Sequence, residues 1–215
     1  MLRRLFAEVI GTAFLVAAGV GSVIMASNLG AESGLVLLAA SVSTGGMLFV
    51  LITVLGPVSG AHLNPVVSLA FAARGELGAA ATAAYIPAQC IGGVIGIAAV
   101  HAMFDLSLFQ ISTTPRAGVS LMASEAIATF GLLFTIFGAL RARPEAVPAL
   151  VGVYIMAAYW FTSSTSFANP AVTLARMLTD SPAGIAPADA PGWIAGQIAG
   201  TLLAALVLPR LFSKE

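Results

Sequence analysis

Residues 61 to 70 read AHLNPVVSLA, and residues 166 to 176 read SFANPAVTLAR. Each stretch holds an asparagine, a proline and an apolar residue: Asn64, Pro65 and Val66 in the first, Asn169, Pro170 and Ala171 in the second. The chemistry these types support is hydrogen bonding, with no bond made or broken. Asparagine is a preferred helix N-cap, and proline fits the first helical position, where its missing N–H costs nothing, so each box is expected to start a helix. The asparagine amides also offer donors to a passing oxygen. Elsewhere the chain carries two histidines, His62 and His101, and one cysteine, Cys90, in no arrangement that matches a metal cluster or a nucleophile with its base. No cofactor, no metal and no enzymatic role is expected.

The elements that must position these boxes follow from composition. Of 215 residues, 59% are hydrophobic and 8% are charged, which lies outside the range of soluble domains. A zero net charge gives no footing for nucleic acid. Six apolar blocks are long enough to cross a hydrocarbon core as helices: 5 to 27, 34 to 56, 80 to 104, 118 to 140, 147 to 163 and 192 to 212. The pieces beginning at Asn64 and Asn169 are too short to span. The first block follows Arg3 and Arg4 as a signal peptide would, but Glu8 interrupts its apolar run, and it reads as a retained helix. Arg3, Arg4, Arg74, Arg141, Arg143, Arg210 and Lys214 fall on one side of the six spans, and Arg116 and Arg176 on the other. The positive-inside rule then puts both termini in the cytoplasm, with the chain in the inner (plasma) membrane.

The chain also repeats itself. AEVIGTAFLV (7 to 16) resembles SEAIATFGLL (124 to 133), which aligns Glu8 with Glu125 and Thr12 with Thr129. YIPAQCIGG (85 to 93) resembles WIAGQIAGT (193 to 201), which aligns Gln89 with Gln197. With the two boxes, three matched pairs occur in the same order in residues 1 to 110 and 111 to 215. Each half holds three spans, an odd number, so the second enters the membrane from the opposite face, and the two short pieces dip in from opposite sides. Non-helical backbone is tolerated at that depth only where it is buried in protein or lines a water-filled cavity. Gly60, Ala61, His62 and Leu63, and likewise Thr165, Ser166, Phe167 and Ala168, are such backbone, and a row of permeating molecules would give their carbonyls partners. The two helix N-termini would add a positive field that repels cations. The Gly-x-x-x-Gly spacings at 92 to 96 and 196 to 200 permit close helix contact, a role also expected of Gly19, Gly21, Gly45 and Gly46.

On these motifs the chain resembles the aquaporin, or major intrinsic protein, family over nearly its whole length. It departs from the family's usual first box by carrying Val66 in place of alanine. The resemblance implies an all-α membrane fold of six transmembrane helices and two re-entrant half-helices in an inverted 3+3 repeat. It further implies that Glu8 and Glu125 support the half-helix loops, that His62 lines the channel, and that the protein is a homotetramer in the lipid bilayer passing small neutral solutes. Counted from the boxes, the family's selectivity filter falls on Thr44, Ala157, Ser166 and Val172. Val172 stands where water-selective members carry arginine, and Arg176, one helical turn on, is expected nearer the outer mouth. A wide constriction of small, weakly polar side chains follows. With YWFTSSTSFANPAVTLAR (159 to 176), it is similar to a bacterial branch associated with arsenic resistance, which implies passage of neutral trihydroxylated metalloids such as arsenous acid alongside water and glycerol-like polyols. Two other readings are a water-selective pore and a secondary transporter. The transporter would need an ion-coupling carboxylate at the midplane, where only Glu8 and Glu125 are available.

Overall fold

A computed structural model describes residues 1 to 212. Lys214, counted above among the basic residues of one side, lies outside the described residues. The six apolar blocks form helices: α1 (Leu2–Asn28), α2 (Ser33–Ser59), α4 (Ala79–Met103), α5 (Val119–Ala142), α6 (Val147–Phe161) and α8 (Ala190–Leu211). With the 3-10 turn Pro144–Ala146 that leads into α6, all six have the length and composition to cross a membrane. Two short helices, α3 (Pro65–Ala73) and α7 (Pro170–Arg176), begin at the prolines of the two boxes. The expected spans hold to within a few residues. Hydropathy extends the fifth block to residue 163, but the helix ends at Phe161, where the backbone turns toward the second box.

Why the helices pack as they do is legible in their small residues. Lipid is as apolar as leucine, so helices in a membrane associate through close packing and polar contacts. A side chain at Gly96 on α4 would come 2.5 Å from the Ala13 carbonyl oxygen of α1, and one at Gly92 would strike that of Val9. On α8, Gly196 and Gly200 meet the backbone oxygens of Met122 and Ala126 on α5 in the same manner. Gly45 and Gly152 bring α2 and α6 together, each 2.5 Å from the other's carbonyl oxygen once a Cβ is added. The expectation fails for Gly46, which faces open space, and Gly21 makes only ordinary contacts with Val100 and Phe104. On the outside of α1, Phe6, Ile10 and Phe14 form an exposed apolar stripe at helical spacing, a face made for lipid.

Both short helices are largely enclosed, with Leu69 and Ala73 of α3 left exposed. Pro65, Val66, Val67, Ser68 and Ala70 of α3 and Pro170, Ala171, Thr173, Ala175 and Arg176 of α7 are enclosed by the long helices, chiefly α4 and α8. The matching pairs α1 with α4 and α5 with α8 form the frame around them.

Candidate functional site

Each box does what an N-cap does and then reaches across to the other. The Asn64 Oδ1 accepts from the Val66 N–H at 3.0 Å, and the Asn169 Oδ1 accepts from Ala171 at 3.0 Å and Val172 at 3.3 Å. The Asn64 Nδ2 donates to the Ala168 carbonyl at 2.8 Å, and the Asn169 Nδ2 donates to the Leu63 carbonyl at 2.8 Å. Each amide thus grips the residue before the other asparagine and holds the two half-helix N-termini tip to tip. Each NH2 has two hydrogens and spends one in this strap. Val66 and Ala171 pack behind the asparagines and are fully buried.

The loops leading into the boxes are strained. Ala61 (φ 47°), Leu63 (φ 51°), Thr165 (φ 61°), Ser166 (φ 50°) and Ala168 (φ 46°) all adopt the left-handed region, which costs a non-glycine residue about 1–3 kcal/mol. Two buried carboxylates hold that backbone. Glu8 accepts from Ser59 Oγ (2.6 Å), the N–H groups of His62 (3.1 Å) and Leu63 (2.7 Å), and Gln89 Nε2 (2.8 Å). Glu125 accepts from Ser164 Oγ (2.6 Å), Phe167 N–H (2.9 Å), Ala168 N–H (2.8 Å) and Gln197 Nε2 (2.6 Å). With the amides turned inward to Glu8 and Glu125, the carbonyls of Gly60, Ala61, His62, Thr165, Ser166 and Phe167 receive no donor from the described residues. The Leu63 and Ala168 carbonyls, expected in the same row, differ: the asparagine straps occupy them.

A cavity of about 510 Å³ runs past these loops. It touches Val147 at one end of α6 and Tyr159 at the other, about 18 Å of helical rise. Gly60, Ala61, His62, Leu63 and Asn64 line it, as do Thr44, Ser166 and Val172. Ala157 does not. It is exposed on the outer face of α6, and Tyr159, about 200° further round the helix, takes its place in the wall. The count back from Asn169 crossed a non-helical loop, where sequence distance and direction part company.

The second correction concerns charge. Helical side chains lean toward the N-terminus of their helix, so Arg176 reaches back from the end of α7 toward the box. A methyl group at Gly19 would lie 3.2 Å from Thr44 Oγ1, 3.3 Å from an Arg176 terminal nitrogen and 3.8 Å from the Tyr159 hydroxyl. These three polar groups therefore surround one point, with Thr44 and Tyr159 hydrogen-bonded at 3.0 Å. The stretch of wall around Thr44 and Tyr159 is not uncharged, as expected from Val172, but carries a guanidinium from one turn further on. Its carbon sits 4.0 Å over the Phe167 ring, and its Nε, like the Ser166 hydroxyl, is buried without a hydrogen-bond partner among the described residues. Arg116 stands behind Phe167 but is pinned by its own bonds to the Gly184 and Pro182 carbonyls. Burial, with repulsion from Arg176 added, lowers its guanidinium to about 10.

Sequence reading missed Tyr159, gave Gly19 a helix-packing role and not a place in the cavity wall, and missed the hydroxyls that complete the carboxylate clusters. The duplicated chain held a signal for the latter. Ser59 and Ser164 stand at the same distance before their asparagines, and Ser68 and Thr173 at the same distance after them.

Comparison with known proteins agrees with this geometry. Residues 1–166 match the Major intrinsic protein family, a match that ends just before the second box. The chain is 51% identical over 204 residues to "Aquaglyceroporin AqpS" of Rhizobium meliloti (strain 1021), covering 95% of this chain and 88% of that protein. It is 34% identical over 180 residues to "Aquaporin NIP1-3" of Oryza sativa subsp. japonica, covering 80% of this chain and 62% of that one. The solved aquaglyceroporin from Plasmodium falciparum superposes with a TM-score of 0.78 over 99% of this chain and 96% of its own, at 20% identity, which speaks for the fold alone. Six spanning helices, two capped half-helices strapped tip to tip, and a match over most of the chain make this protein a member of the major intrinsic protein family.

Proposed function

We propose that the protein is a passive transmembrane channel for small uncharged solutes: water, glycerol-like polyols and neutral metalloid hydroxides such as arsenous acid. The observation that carries this reading is the cavity that follows α6 from end to end past a row of unpaired backbone carbonyls. A hydroxyl-bearing solute exchanges its water contacts for those carbonyls and for the second amide hydrogen of Asn64, which lines the cavity. An ion needs its whole hydration shell replaced and not one or two contacts, and a cation also meets two helix N-termini and Arg176. Thr44, Tyr159, Ser166, Val172 and Arg176 make up the proposed filter, and Glu8 and Glu125 the loop supports. The similarity to a protein named an aquaglyceroporin supports polyol passage. The two repeats are residues 1–110 and 111–215, supported by the duplicated carboxylate clusters. Four such subunits assemble in the inner membrane with both termini cytoplasmic, as the basic residues of the short loops favour.

Stopped-flow light scattering on proteoliposomes tests the reading with water, glycerol, urea and arsenous acid in one preparation. Fluxes above those of empty vesicles, proportional to the gradient and indifferent to ionophores, are expected. Initial rates that saturate or require an ion gradient would favour a coupled transporter and overturn it.

A further inference from the structure

Two hydrogen-bond relays, one behind each box, differ at their last link, and the difference decides which nitrogen of His62 carries hydrogen. Behind the second box, Gln197 Nε2 donates to Glu125 at 2.6 Å and to Thr173 Oγ1 at 2.9 Å. Thr173 passes its own hydrogen to the Asn169 carbonyl at 3.0 Å. Behind the first box, Gln89 Nε2 donates to Glu8 at 2.8 Å and to Ser68 Oγ at 2.9 Å, and Ser68 faces His62 Nδ1 at 3.1 Å. The orientation of Gln89 is forced. Its amide meets the Glu8 carboxylate, which needs donors, and the opposite orientation would set carbonyl oxygen against carboxylate oxygen. Ser68 therefore receives on its oxygen, and its one O–H is left for His62 Nδ1, its remaining partner. A neutral imidazole that accepts at one nitrogen donates from the other. The second half has no such choice, because Phe167 stands where His62 does.

We infer that the Glu8–Gln89–Ser68 relay holds His62 as the Nε2–H tautomer, so that the ring presents a fixed, uncharged donor to solutes in the cavity. Nε2 has no partner among the described residues and lies beside Gly60, where an added Cβ would come 3.2 Å from it; both residues line the cavity. Next to this donor lie the unpaired carbonyls of Gly60, Ala61 and His62. One donor among several acceptors suits a hydroxyl group, which accepts once and donates once. The ligand class is thus an uncharged hydroxyl-bearing solute, and Ser68, fully buried behind the wall, is a positioning residue that acts through His62. The inference rests on the channel reading for its effect on flux, but the tautomer stands apart from it.

The test is solid-state nitrogen NMR on protein labelled at histidine, in bilayers. The chain has two histidines, and the second is a built-in reference. His101 Nδ1 lies 3.0 Å from the Leu108 carbonyl, which only accepts, so His101 carries hydrogen on Nδ1, and its Nε2 faces Thr179 Oγ1 at 2.9 Å, whose own hydrogen goes to Ser181. The resonances lost in His62→Gln are those of His62, and they are expected to show hydrogen on Nε2 and none on Nδ1, whereas the His101 resonances that remain show hydrogen on Nδ1. Ser68→Ala should unlock His62 alone and lower the glycerol-to-water flux ratio by about twofold to tenfold, the worth of one neutral hydrogen bond, and Ser68→Thr should restore both. A wild-type His62 protonated on Nδ1, or on both nitrogens at neutral pH, overturns the inference even if Ser68→Ala fails to fold. So does a His62 signal unmoved by Ser68→Ala, and an unlocked ring with an unchanged flux ratio removes the role in solute selection. Absence of flux in the wild type together with the Nε2–H signal would refute the channel and leave the relay standing.

Discussion

Gly19 lies in the cavity wall beside Thr44, Tyr159 and Arg176. Three hydroxyl or guanidinium groups from α2, α6 and α7 lie within 4 Å of where its Cβ would stand, so hydrogen at this position is what leaves room between them. Gly19→Ala should lower the glycerol-to-water and metalloid-to-water flux ratios by roughly tenfold, since one methyl group in a fitted site discriminates on that scale. The comparison is made within one proteoliposome preparation, and an unchanged ratio would show that the narrowest point lies elsewhere. Arg176 supplies the charge at the same place. Its guanidinium has no carboxylate partner among the described residues and stacks on Phe167, which leaves its terminal nitrogens, though not the buried Nε, to a solute oxygen, and its charge opposes cations. Arg176→Leu should raise proton and potassium conductance above that of empty liposomes while water flux persists. Electrical recording that finds no added current would assign ion rejection to the helix dipoles and desolvation alone.

At the scale of elements, a half-helix is only as well placed as the loop before it. The left-handed residues before Asn64 are held by four bonds to one carboxylate, so Glu8→Gln replaces an acceptor oxygen by an NH2 among donors. At least one buried donor is then left unpaired, a cost of about 1–3 kcal/mol, and the strained loop loses its clamp. A lower midpoint of thermal unfolding in detergent and a large loss of water flux are expected together; loss of flux with stability intact would mean that Glu8 acts on solutes directly. Helix against helix, Gly96→Leu should be more damaging to assembly of the fold, because the Ala13 carbonyl leaves no space for any side chain and α1 must move away from α4. Gly46→Leu is the matched control within a subunit, since nothing lies near it there. Folded yield by size-exclusion chromatography should fall for the first and hold for the second.

For the whole molecule, the two halves of the chain meet where each would be incomplete alone. The Asn64 amide is satisfied by the Ala168 carbonyl and the Asn169 amide by that of Leu63, so neither box reaches its geometry without the other half. Co-expression of residues 1–110 and 111–215 as separate chains should therefore give a conducting complex, while either alone should not conduct; flux from one half would undo the two-repeat reading. The proposed tetramer is checked by native mass spectrometry from lipid nanodiscs, where four copies are expected.

Several parts of this arrangement were written in the sequence in local terms. Hydrophobic block length set the six spans, Asn-Pro set where the half-helices begin, and duplication paired Glu8 with Glu125 and Gln89 with Gln197, because each of these rests on a propensity or pattern that acts over a few neighbouring residues. Gly-x-x-x-Gly spacing likewise marked the crossings of α4 on α1 and of α8 on α5. Which side chains face the cavity was a different matter. Tyr159 in place of Ala157, Arg176 reaching back to Thr44, and Ser68 turned toward His62 depend on how far a side chain extends and on how α6 is rotated after a loop of irregular backbone. Counting along the chain preserves direction only inside a helix, so those choices were made by tertiary packing, where residues far apart in sequence compete for the same few cubic ångströms.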